Sequence, residues 1–136
     1  KPLRNVSYTA YSAEGKPLER KVVHPDYTKQ GYGFYAVFLG GDYPWGEIET
    51  GNRDGRRLAV VKDSYGNAFI PFLLPHFETI DYIDPRSFQG NLIGFVKEHR
   101  ITDVLFLNNS TVARSSGIAQ LLNETMGVEK TGKAKG

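Results

Sequence analysis

Arg56-Arg57-Leu58-Ala59-Val60-Val61-Lys62-Asp63-Ser64-Tyr65-Gly66-Asn67 is the stretch on which the reading of this chain turns. Leu58 to Val61 is an unbroken apolar run rich in β-branched residues, the pattern of a strand buried on both faces. It stops at Asp63-Ser64-Tyr65-Gly66-Asn67. From Ala68 to Phe77 the apolar residues Phe69, Phe72, Leu73, Leu74 and Phe77 recur at helical spacing. Pro71 suits the first turn of that helix, where a missing N–H costs nothing. Strands buried on both faces belong to parallel sheets, whose ligands gather where the strands end. Ser64 is thus expected at the carboxyl end of a central strand, beside a helix start whose unpaired N–H groups favour negative charge. A serine in that place is a candidate nucleophile. The position also suits a plain helix N-cap.

Downstream, strand and helix alternate. Ile80 to Asp84 reads as a second strand, and Gln89 to His99, with Leu92, Ile93, Phe95 and Val96, as a second helix. Val104-Leu105-Phe106-Leu107 reads as a third buried strand, ended by Asn108-Asn109-Ser110. Ser115 or Ser116 would cap a last helix carrying Ile118, Leu121 and Leu122. The crossovers are long enough for right-handed parallel connections. If the three strands are parallel neighbours, Asp63 and Ser64, Asp84 and Arg86, and Asn108 and Asn109 converge on one edge. A serine hydroxyl, an asparagine amide and backbone N–H groups are the parts that hold a tetrahedral oxyanion in acyl transfer. Plainer roles exist for each: Arg86 as a partner of Asp84, the asparagines as strand terminators. Asp63 points to the other face of the strand from Ser64, so it is not the expected base.

Upstream, residues 1–54 read as β-rich and irregular. Val6, Tyr8 and Ala10 alternate with polar positions, Glu14-Gly15-Lys16-Pro17 turns the chain, and Leu18 to Val23 returns as a hairpin partner. His24-Pro25-Asp26-Tyr27 breaks that strand. The segment 31–42 is dense in aromatics and glycine, and strand and short helix fit its centre equally. Gly40-Gly41 is either a tight turn or a close approach of backbone to a ligand. Tyr43-Pro44-Trp45-Gly46 is a turn, and Glu47 to Thr50 a short strand. The expected organisation is a β-rich extension over 1–54 packed on the core, an α/β core over 55–128, and a disordered polar tail over 129–136.

A chain of 136 residues with net charge +2 and no cysteine holds one modest core, forms no disulfide and has no thiolate chemistry. Its Lys and Arg are scattered among acids, so nucleic acid is not an expected partner. No apolar run approaches the roughly 20 residues of a membrane span. His24, His76 and His99 are not placed for a Ser-His pair with Ser64. No metal spacing and no phosphate-cradling loop occur, so neither metal nor cofactor is expected.

Four ordered motifs carry a resemblance. Phe34-Tyr35-Ala36-Val37-Phe38-Leu39-Gly40-Gly41-Asp42, then Val60 to Asn67 with Pro71-Phe72-Leu73, then Ile83-Asp84-Pro85-Arg86-Ser87-Phe88, then Ile101-Thr102-Asp103-Val104-Leu105 resemble the carboxyl-terminal half of the bacterial DHHW proteins. That resemblance, over about residues 31–110, implies a three-layer flavodoxin-like or SGNH-like parallel sheet with a β-rich N-terminal extension. It also implies kinship with SGNH-like enzymes of exopolysaccharide acetylation, including the alginate acetylation proteins. Ser64 then carries over as the nucleophile of the Ser-Tyr motif. The family's Asp and His partners lie in an earlier Asp-His-His-Trp motif, which does not occur between Lys1 and Ser64, so they are expected in a preceding segment of the same protein.

The implied function is a serine esterase or O-acyltransferase on cell-envelope carbohydrate, at the cell surface or outside it, with this segment inactive alone. Gly41, Tyr65, Arg86 and Asn108 are the candidate oxyanion or substrate contacts. The alternative is a non-catalytic surface module for carbohydrate or protein, stacking sugar rings on Tyr32, Tyr35, Tyr43 and Trp45.

Overall fold

The computed structural model describes residues 5–29, 34–109, 120, 123 and 124. Its centre is one mixed sheet of six strands: β1 Ser7–Tyr11, β2 Pro17–Arg20, β3 Trp45–Glu49, β4 Arg57–Lys62, β5 Thr79–Ile83 and β6 Asp103–Leu107, in the order β2-β1-β3-β5-β4-β6. β4 pairs in parallel with β5 (Val60 beside Tyr82) and with β6 (Val60 beside Leu105). β3 runs antiparallel to β5 and to β1, and β1 antiparallel to β2.

The expected three-layer parallel sheet with a β-rich extension is therefore not what forms. β1, β2 and β3 belong to the same sheet as β4 to β6. The reason lies in the alternation of their side chains. Tyr8, Ala10 and Ile48 are almost fully buried and join Leu58, Val60, Ile80 and Tyr82 in one cluster. The amino-terminal strands thus widen a hydrophobic face that the parallel strands alone would leave short.

Helices are few. The run expected as one helix over 68–77 is a 3-10 turn Ser64–Ala68, a single turn of helix α1 Ile70–Leu73, and a second 3-10 turn Leu74–His76. Pro75 has no N–H to donate to the carbonyl of residue 71, so the α-helix cannot extend past it. These turns cover the face holding Tyr8, Val60 and Tyr82. The opposite face is covered by α2, Leu92–Glu98, whose Leu92 and Phe95 pack on Val61 and Ile83. Asn91 caps α2 by accepting the Gly94 N–H at 2.9 Å.

β4 is buried on both faces as its sequence implies: Leu58 to Val61 are at most 4% exposed. β6 is not. Leu105 and Leu107 pack inward, while Val104 and Phe106 are 42% and 46% exposed. The last helix and the polar tail fall largely outside the described residues.

The middle of the sheet holds a polar relay. Tyr82 lies flat against Gly46, where a Cβ would meet its ring at 2.7 Å. Its hydroxyl is 2.5 Å from that of Tyr8, which donates to the Leu39 carbonyl at 3.1 Å, so Tyr82 donates to Tyr8. Burial raises both phenols far above their ordinary value, and both stay protonated.

Candidate active site at the strand-end rim

β4, β5 and β6 run in the same direction, so their carboxyl ends share one edge. At the end of β4 the chain turns on Asp63, which is 4% exposed. Its Oδ1 accepts the Tyr65 N–H at 3.0 Å and so caps the turn Ser64–Ala68. Its Oδ2 accepts the Asn109 N–H at 2.8 Å. One carboxylate thus ties the ends of β4 and β6 together, and Asp63 does the capping that Ser64 could have done. Ser64 is half-buried at the first position of the turn. Among the described residues its hydroxyl makes no hydrogen bond. Asp63 is engaged on both oxygens by backbone N–H groups.

The other candidate residues lie along the same rim but not in one cluster. Arg86 forks onto Asp84, with Nε to Oδ1 at 2.9 Å and Nη2 to Oδ2 at 2.6 Å. That hydrogen bonding raises the guanidinium above its ordinary value, outweighing the loss of hydration that would lower it. Arg86 lines a cleft of about 580 Å³ with Ser12, Asp42, Tyr43, Asp84 and Ser87. Asn108 is half-buried, and its Oδ1 is buried with no partner. Gly41 has φ of +130°, a value that L side chains rarely adopt, and open space where a Cβ would lie. The Tyr65 side chain is 56% exposed, while its N–H is already taken by Asp63.

The pattern also hid a charge. Lys62 is 1% exposed. Its Nζ donates to Asn67 Oδ1 and sits 4.6 Å above the Tyr82 ring centroid. Asn67 Nδ2 in turn donates to Asp42 Oδ1 at 3.1 Å. This chain links β4, the Ser64 turn and the glycine loop. Burial lowers the Lys62 ammonium to about 8, against the pull of Asp84 and Asp42. The signal was present: Lys62 follows Leu58 and Val60 at the two-residue period of a strand, which points it inward with them.

Among the described residues no hydrogen bond joins a histidine to Ser64. His24 stacks on Tyr27 at 4.6 Å and abuts Gly40. His76 ends the second 3-10 turn. His99 meets Glu47 and Asp81 on the face covered by α2, and the ligand atoms of these three lie within 4.8 Å of one another. Residues this distant in sequence show no metal spacing to a linear reading. Of the aromatics, Trp45 has one ring face covered by Tyr11, stacked at 3.8 Å. Tyr32 is outside the described residues. No helix among the described residues is long and apolar enough to cross a membrane.

Residues 22–83 match the model of the DHHW protein family. The fold is similar to that of a DHHW family protein from Eubacterium siraeum DSM 15702, at 33% identity and TM-score 0.73, over 87% of this chain and 40% of that one. It is also similar to Bacillus cereus PatB1 carrying a sulfonyl adduct, at 25% identity and TM-score 0.61, over 76% of this chain and 37% of that one. A second PatB1 structure matches at 26% identity and TM-score 0.60, over 77% and 35%. The chain spans about two fifths of the length of the solved structures it matches. No curated protein matches it.

Proposed function

We propose that this chain is part of a DHHW-family protein that works as a serine esterase or O-acyltransferase on cell-envelope carbohydrate, with Ser64 as nucleophile. The observation that carries this reading is the place of Ser64. It opens the turn after a central parallel strand, half-buried, with a hydroxyl that no described residue engages. The likeness to PatB1 supports it, because PatB1 takes a sulfonyl adduct and sulfonyl electrophiles attach to activated nucleophiles.

In this reading Ser64 Oγ attacks the ester carbonyl. A histidine, oriented by an aspartate, takes the proton and returns it to the departing alcohol. We assign that pair to a part of the matched family's length that this chain does not span. The developing oxyanion needs N–H donors. Tyr65 N–H is occupied by Asp63, so we assign the role to the Gly41 backbone N–H and the Asn108 Nδ2 group. Arg86, held by Asp84 at the cleft, would in this reading meet acceptor hydroxyls or an acidic sugar. The protein would work at the cell surface or outside it.

The non-catalytic alternative has less behind it, since Trp45 is already stacked on Tyr11. The test is p-nitrophenyl acetate hydrolysis by the full-length protein, with mass spectrometry after treatment with a sulfonyl fluoride. Ser64→Ala is expected to lower kcat at least about 1,000-fold and to abolish the covalent mass shift. Equal rates for the two proteins would end the proposal.

A further inference from the structure

We infer that Glu47, Asp81 and His99 form a binding site for one divalent transition-metal ion, best suited to Zn²⁺, on the sheet face opposite the Lys62 network. The argument begins with Asp81, whose side chain is 0% exposed. Neither of its carboxylate oxygens has a hydrogen-bond partner. A buried carboxylate without a donor is costly by several kcal/mol. Here burial, and next the charge of Glu47, push the carboxyl up to about 8. Glu47 is its direct cross-strand partner in the β3–β5 register, a like-charge pairing that destabilises a sheet. Two facing carboxylates beside one imidazole, with no hydrogen bond to the buried one, make a setting that a cation would satisfy.

The third member supplies the geometry. His99 Nδ1 lies 3.1 Å from Asp81 Oδ2 and 3.6 Å from Glu47 Oε2, and neither approach is a hydrogen bond. Ligands about 2.0 Å from a tetrahedral zinc ion stand about 3.3 Å from one another. The observed separations fall on either side of that value. The imidazole is held in place: its ring stacks on Phe95 at 3.9 Å, meets Trp45 edge-on at 5.3 Å, and the His99 carbonyl accepts Arg57 Nε at 2.9 Å.

One nitrogen and two carboxylate oxygens favour a borderline ion over Ca²⁺ or Mg²⁺, which take oxygen alone. A cleft of about 410 Å³, lined by Glu47, Arg57, Glu98, His99 and Arg100, gives access and leaves the fourth position to water. Arg57 offers the competing source of positive charge. It weakens the field at Asp81 without pairing with its carboxylate.

The experiment is calorimetric titration of chelator-treated full-length protein with Zn²⁺, and of the same protein with Co²⁺ followed by visible absorption. One saturable equivalent is expected, with the absorption bands of tetrahedral Co²⁺ and a higher thermal midpoint in Zn²⁺. His99→Ala and Asp81→Asn are each expected to weaken binding at least about 100-fold. Should the buried substitution misfold, Glu47→Gln on the half-exposed residue replaces it, with about a 10-fold loss. Ser64→Ala keeps the full affinity, which separates this site from the proposed esterase centre. No saturable binding of either ion, or binding that survives both His99→Ala and Glu47→Gln, overturns the inference.

Discussion

Lys62 and Asp81 sit on adjacent central strands, point to opposite faces, and are 1% and 0% exposed. The fold treats their two charges differently. Lys62 donates to Asn67 and lies over the Tyr82 ring, and Asn67 reaches on to Asp42. Asp81 faces a second carboxylate and receives no hydrogen bond. A buried charge with a folded partner becomes part of the scaffold. With only the His99 imidazole 3.1 Å away and no hydrogen bond, it is a demand that something from outside can meet.

The sharpest way to break this contrast is to remove Lys62. Lys62→Ala takes away a stem packed against Gly66 and leaves Asn67 Oδ1 without its donor. The expected loss is about 4 kcal/mol at pH 10. It should be smaller at pH 7. The Lys62 pKa is lowered to about 8 in the folded chain, so between there and its ordinary value the unfolded chain binds more protons and stability rises with pH. Below pH 8 the full cost of the buried ammonium is present, roughly 3 kcal/mol, and its removal offsets most of the lost packing. Urea midpoints at the two pH values measure this; an equal loss at both would show that Lys62 carries no strained charge.

Asp81→Asn should act with the opposite sign. The carboxyl is raised to about 8, so the folded chain holds its proton while the unfolded chain has released it. Stability therefore falls as pH rises from about 4 to 8, and above that the full cost remains. With chelator present, the variant is expected to be more stable by about 2 kcal/mol at pH 9 and unchanged near pH 4. A gain of the same size at both would mean that packing, not charge, is the cause.

The smallest effect belongs to a carboxylate that is satisfied. Asp63→Ala removes the cap at Tyr65 and the bond to Asn109, and should cost about 1 to 2 kcal/mol. Chemical denaturation near pH 7 measures it.

What could be read in advance follows from which forces are local. The apolar run Leu58–Val61 and the turn that ends it are written in neighbouring residues and lie where expected, although Asp63 rather than Ser64 caps the turn. The hairpin of β1 and β2 was legible for the same reason. The place of β3 was not. Glu47 and Ile48 read as a short strand, but nothing local says that it pairs with β1 on one edge and β5 on the other. That pairing turns the expected extension into half of a mixed sheet. At the rim, Ser64 could be singled out from its turn, whereas the reach of Asn67 to Asp42 depends on where a distant loop settles, and the Glu47–Asp81–His99 trio on register across strands and the docking of α2. The helix expected from the spacing of Phe69 to Phe77 breaks at Pro75, which lacks the N–H that spacing alone does not register.

One absence of side chain reaches far. The Tyr82 ring fills the space that a Cβ at Gly46 would need, and from there its hydroxyl steers Tyr8 onto the carbonyl of Leu39. Leu39 leads directly into Gly40, Gly41 and Asp42, the loop that Asn67 grips from beside Ser64. The position of that loop beside the Ser64 turn is therefore tuned from the floor of the sheet, by the single hydrogen atom that Gly46 carries in place of a side chain.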